Sequence, residues 1–209
     1  MKKTIDLFLR SVLTGMMIGL GGIVNLSCDN RYIGSFLFAT GLFVILTFGF
    51  TLFTGKVGYA VENKPSYLID LLIIWFGNLV GTMFDGFVIQ LTRVGGAISE
   101  KAAGLCETKL ADNLLSIFVL AFFCGMLMFI AADGYKNLTN PVAQMLAVIL
   151  PVMVFILCGF EHCVANMFYF TAAGAWSLNA FGRLIVMTLG NSAGGILIPL
   201  LRKGLTRSK

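Results

Sequence analysis

Apolar residues fall in long blocks separated by short polar turns. A helix that crosses a bilayer needs about 20 apolar residues, and the stretches 7–26, 67–91, 113–132 and 181–201 have that length. Two further stretches, 32–61 and 142–170, are too long for one straight crossing. The first holds Thr47-Phe48-Gly49-Phe50-Thr51-Leu52-Phe53-Thr54-Gly55, and the second holds Gly159-Phe160-Glu161-His162-Cys163-Val164-Ala165-Asn166-Met167-Phe168. Small and polar residues at membrane depth suit an interrupted helix that lines a cavity, because hydrocarbon offers a bare peptide group no hydrogen bond. The pattern therefore predicts an all-α membrane protein of six transmembrane helices, the second and fifth broken near Gly49–Gly55 and Glu161–Met167. Between the blocks lie the turn Cys28-Asp29-Asn30-Arg31, the turn Glu62-Asn63-Lys64-Pro65, a turn over 133–140 closed by Pro141, and a short loop over 174–179 with Trp176 at the interface. Residues 93–112 read as the longest polar loop.

The blocks repeat. Gly77-Asn78 in the third recurs as Gly190-Asn191 in the sixth, 113 residues later, and the same step carries the Gly49–Gly55 break onto 162–168. This predicts a single polytopic domain made of two copies, about 5–91 and 113–203. Three crossings per copy is an odd number, so the copies are inverted in the membrane. Paired interruptions at matching positions point to a substrate site at the interface of the copies.

Composition agrees with the pattern: 58% of the 209 residues are hydrophobic and 12% charged, with a mean hydropathy of +0.91. That excludes an ordinary soluble domain. Met1-Lys2-Lys3 precedes an apolar run without a small-residue cleavage site, which reads as a retained first span. The net charge of +5 reflects topology, not nucleic-acid binding. Lys2, Lys3, Arg10, Lys64, Lys136, Arg202, Lys203, Arg207 and Lys209 fall on one side; Arg31, Arg93, Lys101, Lys109 and Arg183 fall on the other. The richer side is cytoplasmic by the positive-inside rule, which puts both termini inside a cell membrane, plasma or inner. The cysteines 28, 106, 124, 158 and 163 show no metal spacing, and Cys158 with His162 would make only half a site. No nucleophile–base pair and no cofactor motif supports an enzyme.

The candidate chemistry centres on His162, the only histidine, beside Glu161 and four residues before Asn166. Ionisable groups at membrane depth are costly and mark functional sites by default. The alternative is a histidine that merely ties two helices together.

These segments resemble the formate–nitrite transporter family of pentameric anion channels. The resemblance rests on Leu52-Phe53-Thr54, Trp75-Phe76-Gly77-Asn78-Leu79-Val80-Gly81, the decapeptide around His162, and Gly190-Asn191-Ser192-Ala193-Gly194-Gly195. It covers about residues 5–203. It implies a homopentamer with an aquaporin-like protomer and one pore per protomer, narrowed by two apolar constrictions around a central histidine. Leu42 and Phe155 would line one constriction and Phe38 would belong to the other. Thr54 would sit on the loop between half-helices, Asn191 would hydrogen-bond in the same centre, and His162 would face the permeant. Four departures stand out. Only about six residues precede the first span, where the family has a longer, amphipathic N-terminal helix. The lysine expected near the start of the fourth span falls on Asn113, with Lys109 one turn earlier, and a polar asparagine of the fourth span falls on Phe129. Lys56 stands where a small polar residue is expected, either snorkelling to the surface or placing a charge in the pore.

The implied function is passive, proton-linked permeation of a small monovalent anion of a weak acid: formate, nitrite, hydrosulfide or a similar species. An anion cannot cross an apolar constriction cheaply, whereas its neutral acid can. A histidine between two constrictions can hold or lend the proton. Arg93, Lys101 and Lys109 would raise the anion concentration at the outer mouth. Glu161 would orient the histidine region or an interprotomer contact. Partners are then the anion, the proton and membrane lipid. The competing reading is an aquaporin-like channel for small neutral solutes, for which the chain offers only Thr139-Asn140-Pro141 at a membrane edge.

Overall fold

The computed structural model describes residues 2–207, and among them the protein is helical, without strands. Nine α-helices follow one another: α1 (Lys2–Ser27), α2 (Arg31–Thr47), α3 (Phe53–Lys56), α4 (Tyr67–Gln90), α5 (Gly95–Ala111), α6 (Leu114–Asn137), α7 (Pro141–Leu157), α8 (Cys163–Ala172) and α9 (Leu178–Arg207), with a 3₁₀ turn (Val57–Glu62) after α3. Four of them, α1, α4, α6 and α9, are long and apolar enough to cross a membrane; α2, α7 and α8 are shorter and apolar. Their outward faces carry large exposed apolar side chains, such as Leu72, Phe76 and Phe84 on α4 and Leu115 and Phe123 on α6. A surface of this kind suits lipid or a neighbouring copy better than water.

Local signals explain where the helices begin. Asn30 and Asn140 each cap a helix by accepting from two backbone N–H groups, those of Tyr32 and Ile33 and those of Val142 and Ala143. Pro141 occupies the first position of α7, where its missing N–H is no loss. Asn113 caps α6 through the Ser116 N–H. The packing pairs α1 with α4 and α6 with α9. Gly15 lets α1 lie against the Asn78 carbonyl of α4, and Gly125 lets α6 lie against the Asn191 carbonyl of α9; a methyl group at either would strike that carbonyl.

Two expectations from the sequence change here. The stretch 93–112 is not a loop: α5 fills most of it, burying Ile98, Ala102 and Cys106 at four-residue steps along one face. The second interruption lies at 158–162 rather than 161–167, because α8 is helical from Cys163 onward.

Candidate functional site

Both interruptions are built by the same local device. Gly49 and Gly159 each adopt φ +67°, the left-handed conformation that ends a helix. Past Gly49, the Phe50 N–H donates to the Ile45 carbonyl at 2.8 Å and the Gly49 N–H to the Leu46 carbonyl at 3.3 Å. Past Gly159, the Phe160 N–H donates to the Phe155 carbonyl at 2.9 Å and the Gly159 N–H to the Ile156 carbonyl at 3.2 Å. Arg31 adds a second lock, donating to the Ile156 and Leu157 carbonyls at the C-terminus of α7, where such groups lack helical partners. The breaks therefore match at a step of 110 residues, Gly49 on Gly159 and Asn30 on Asn140. The 113-residue step holds further along, carrying Gly77-Asn78 onto Gly190-Asn191 and Gly81 onto Gly194, since three residues are added after the second break.

Two buried asparagines hold the returning chain. The Asn78 side chain accepts from the Phe53 N–H at 2.9 Å and donates to the Ser11 and Thr51 carbonyls. The Asn191 side chain accepts from the Cys163 N–H at 2.8 Å and donates to the Ala121 and Glu161 carbonyls. Each tethers the first N–H of a re-entrant helix and a carbonyl of the break, groups that would otherwise be stranded away from water. All the partners of the Asn191 side chain are backbone groups, and both its amide hydrogens are used on them. It is a clamp, and Asn78 is the clamp's counterpart, a role that the sequence pattern did not single out.

The clamps bring the two short helices tip to tip. His162 Nε2 lies 2.9 Å from Thr54 Oγ1, and both residues are buried. His162 also caps α8, its Nδ1 accepting from the Ala165 N–H at 3.0 Å. A ring nitrogen that accepts carries no hydrogen, so the imidazole is neutral with its proton on Nε2, donated to Thr54. The Thr54 hydroxyl hydrogen is then free to be donated onward. Phe155 stacks on the imidazole with centroids 5.5 Å apart, and Phe38 meets Phe155 edge-on at 5.7 Å.

Glu161 and Asn166 form a second cluster. Lys109 Nζ reaches Glu161 Oε2 at 2.6 Å, and Asn166 donates to the same oxygen at 2.8 Å and to the His162 carbonyl at 3.0 Å. The pair is largely dry, with side-chain exposures of 13% for Lys109 and 5% for Glu161. Lys109 reaches Glu161 because α5 is a helix packed against α8. Asn166 Oδ1 is the one buried side-chain polar atom without a partner among the described residues.

Two cavities flank the Thr54–His162 pair. One, of about 460 Å³, is lined by residues including Leu42, Leu52, Lys56, Tyr59 and Lys136. The other, of about 540 Å³, is lined by residues including Arg31, Lys101, Lys109, Phe155 and Phe160. They lie toward opposite ends of α2, whose Arg31 and Leu46 are about 22 Å apart along the axis. Neither wall includes Thr54 or His162. Leu42 faces the first cavity, and Phe155 faces the second with Phe38 against it. Leu52, which lines the first cavity and stands 110 residues before His162 at the matching cap position of α3, was missed; the 110-residue step finds it. Phe129 packs away from this centre, against Tyr59. The segment Thr139-Asn140-Pro141 is an ordinary helix cap and supplies no half-helix of the aquaporin kind.

Comparison with known proteins agrees with this architecture. Uncharacterized transporter YrhG of Bacillus subtilis is 29% identical over 178 residues, covering 78% of this chain and 66% of that one. Formate channel BtFdhC of Bacillus thuringiensis is 27% identical over 208 residues, covering 88% and 80%. A solved structure, a pentameric formate channel with formate bound, shares the fold at a TM-score of 0.84 and 24% identity, covering 100% of this chain and 99% of the other. The formate/nitrite transporter family model matches residues 1–202, and the chain belongs to that family.

Proposed function

We propose that this protein is a homopentameric membrane channel that passes a small monovalent anion of a weak acid, formate being the first to test, by passive, proton-linked permeation. The observation that carries this reading is the Thr54–His162 hydrogen bond, buried in an apolar partition between two cavities that each present cations. In this reading the protomer is two inverted copies of three crossings, with both termini and the Lys56 cavity on the cytoplasmic side. The names of BtFdhC and of the solved pentamer support the substrate class and the assembly.

Cations at each mouth gather anions. The partition then opposes them, because a bare charge in a low-dielectric slot costs several kcal/mol. The pair resolves the conflict by neutralising the permeant. Thr54 hands its hydroxyl hydrogen to the anion, His162 Nε2–H refills the hydroxyl, and a proton delivered by water to Nδ1 keeps the ring neutral; once the acid has left, water takes the Nδ1 proton and returns one to Nε2, which restores the starting tautomer. During that step the Ala165 N–H loses its acceptor, a cap worth about 1 kcal/mol. The neutral acid passes the apolar side and ionises again in the far cavity. Asn166 Oδ1, lacking a donor, is a natural acceptor for a water or an acid O–H near the histidine.

The test is flux into liposomes of formate, nitrite, hydrosulfide and a neutral solute, side by side and against pH. Anion uptake that rises as external pH falls supports the reading. Passage of the neutral solute without the anions would overturn it in favour of a solute channel.

A further inference from the structure

The cavity on the Leu52 side holds two ammonium groups without a carboxylate partner. Lys101 and Lys109, by contrast, are paired with Asp29 and Glu161. Among the described residues neither Lys56 nor Lys136 makes an ion pair, and both line the same cavity. Lys136 is held over the Tyr59 ring, its Nζ 5.0 Å from the centroid. The other polar groups of the wall are matched. Tyr59 donates to Asp133, which Arg202 also neutralises; Tyr67 donates to the Lys56 carbonyl; the Tyr135 hydroxyl meets Thr47. Glu62 lies at the rim, exposed, and makes no ion pair there. Lys56 is half-buried and two residues along the same short helix from Thr54.

We propose that Lys56 and Lys136 form an anion-binding station in this cavity, a docking site for a small carboxylate or similar monovalent anion just before the Thr54–His162 pair. Lys56 is half-buried and Lys136 exposed on the wall of the same cavity, and an anion held between two like charges relieves their repulsion. The station sets the anion concentration at which uptake from this face saturates; at the opposite face Lys101 and Lys109 are paired with carboxylates and Arg31 is bound to the Ile156 and Leu157 carbonyls. Glu62 opposes it at the rim. This extends the permeation reading and rests on it for the identity of the anion.

The test separates binding from transport. Carbon-13 formate is titrated against detergent-solubilised protein and its line broadening followed, and formate flux is measured in sealed vesicles of each orientation. Lys56→Gln and Lys136→Gln should each weaken binding several-fold and raise the half-saturating formate at the Lys56 face alone. Lys56→Arg should behave as the native protein, and Glu62→Gln should shift the half-saturation the other way. In 0.5 M salt the screening length falls to roughly 4 Å, so the differences should shrink. Formate broadening that Lys56→Gln and Lys136→Gln leave unchanged, or a change equal at both faces, would overturn the station while leaving the channel standing. Lysine-dependent binding by a protein that passes no formate would retain the station and overturn the channel. Absence of any binding overturns the station outright.

Discussion

His162→Asn separates a working histidine from one that only ties helices together. Asparagine is a good N-cap, so its side-chain oxygen can replace Nδ1 as the acceptor for Ala165 N–H and keep α8 in place. What disappears is the hydrogen bond to Thr54, worth about 1 kcal/mol, and the stack on Phe155, worth about 1 kcal/mol. The variant should thus lose roughly 2 kcal/mol of stability and still assemble. Its transport should fall much further, because asparagine cannot take up a proton on one atom and release it from another. Loss of such a proton-transfer group costs on the order of a hundredfold, and the rise of flux at low pH should flatten. Flux against pH in liposomes, read beside the melting temperature, is the assay. Native flux with a native pH response in His162→Asn would refute the relay, and a fall in stability with the pH response intact would make the histidine structural.

Other expectations follow from the same contacts. Glu161→Gln strands the Lys109 ammonium in a dry site and should cost about 3 kcal/mol, part of which Glu161→Gln with Lys109→Gln should restore in a double-mutant cycle of melting temperatures. Asn191→Ala leaves Cys163 N–H and the Ala121 and Glu161 carbonyls without partners and should cost about 3–5 kcal/mol; Asn78→Ala should behave alike, and recovery of native oligomer from either at wild-type yield would contradict the clamp. Leu42→Ala and Phe155→Ala each remove apolar bulk beside one cavity and should raise leak to larger anions such as lactate, measured by the same flux assay, at about 2–5 kcal/mol of stability.

The interruptions were legible because glycine and threonine at membrane depth are hard to reconcile with an unbroken helix. Their boundaries were less so. Polarity points to Glu161 and His162, yet α7 ends at Leu157, Gly159 turns the chain, and His162 begins the next helix by capping it. The helix α5 escaped notice because it carries just three small or medium apolar contacts at four-residue steps, too weak a periodicity against its charges. With α5 unseen, Lys109 looked one turn out of place, whereas the helix carries it to Glu161. The partition of Leu42 and Phe155 between cavities was beyond the sequence, since residues on two different helices reveal their mutual side only when packed.

The arrangement has a logic that single residues do not show. Asn166 Oδ1 aside, the polar side chains that hold the breaks are engaged with one another or with backbone. Asn78 and Asn191 hold backbone, Glu161 answers Lys109 and Asn166, and Ser11 meets the Thr51 hydroxyl at 2.7 Å. In a medium without water such saturation is what makes a broken helix stable at all. It also removes those groups as partners for anything that passes. At the junction of the two short helices, the Thr54 hydroxyl hydrogen remains uncommitted, backed by the His162 Nε2–H. In the proposed reading, this hydroxyl is the donor that the permeant meets between the cavities, and it favours a species that can accept a hydrogen bond and then a proton.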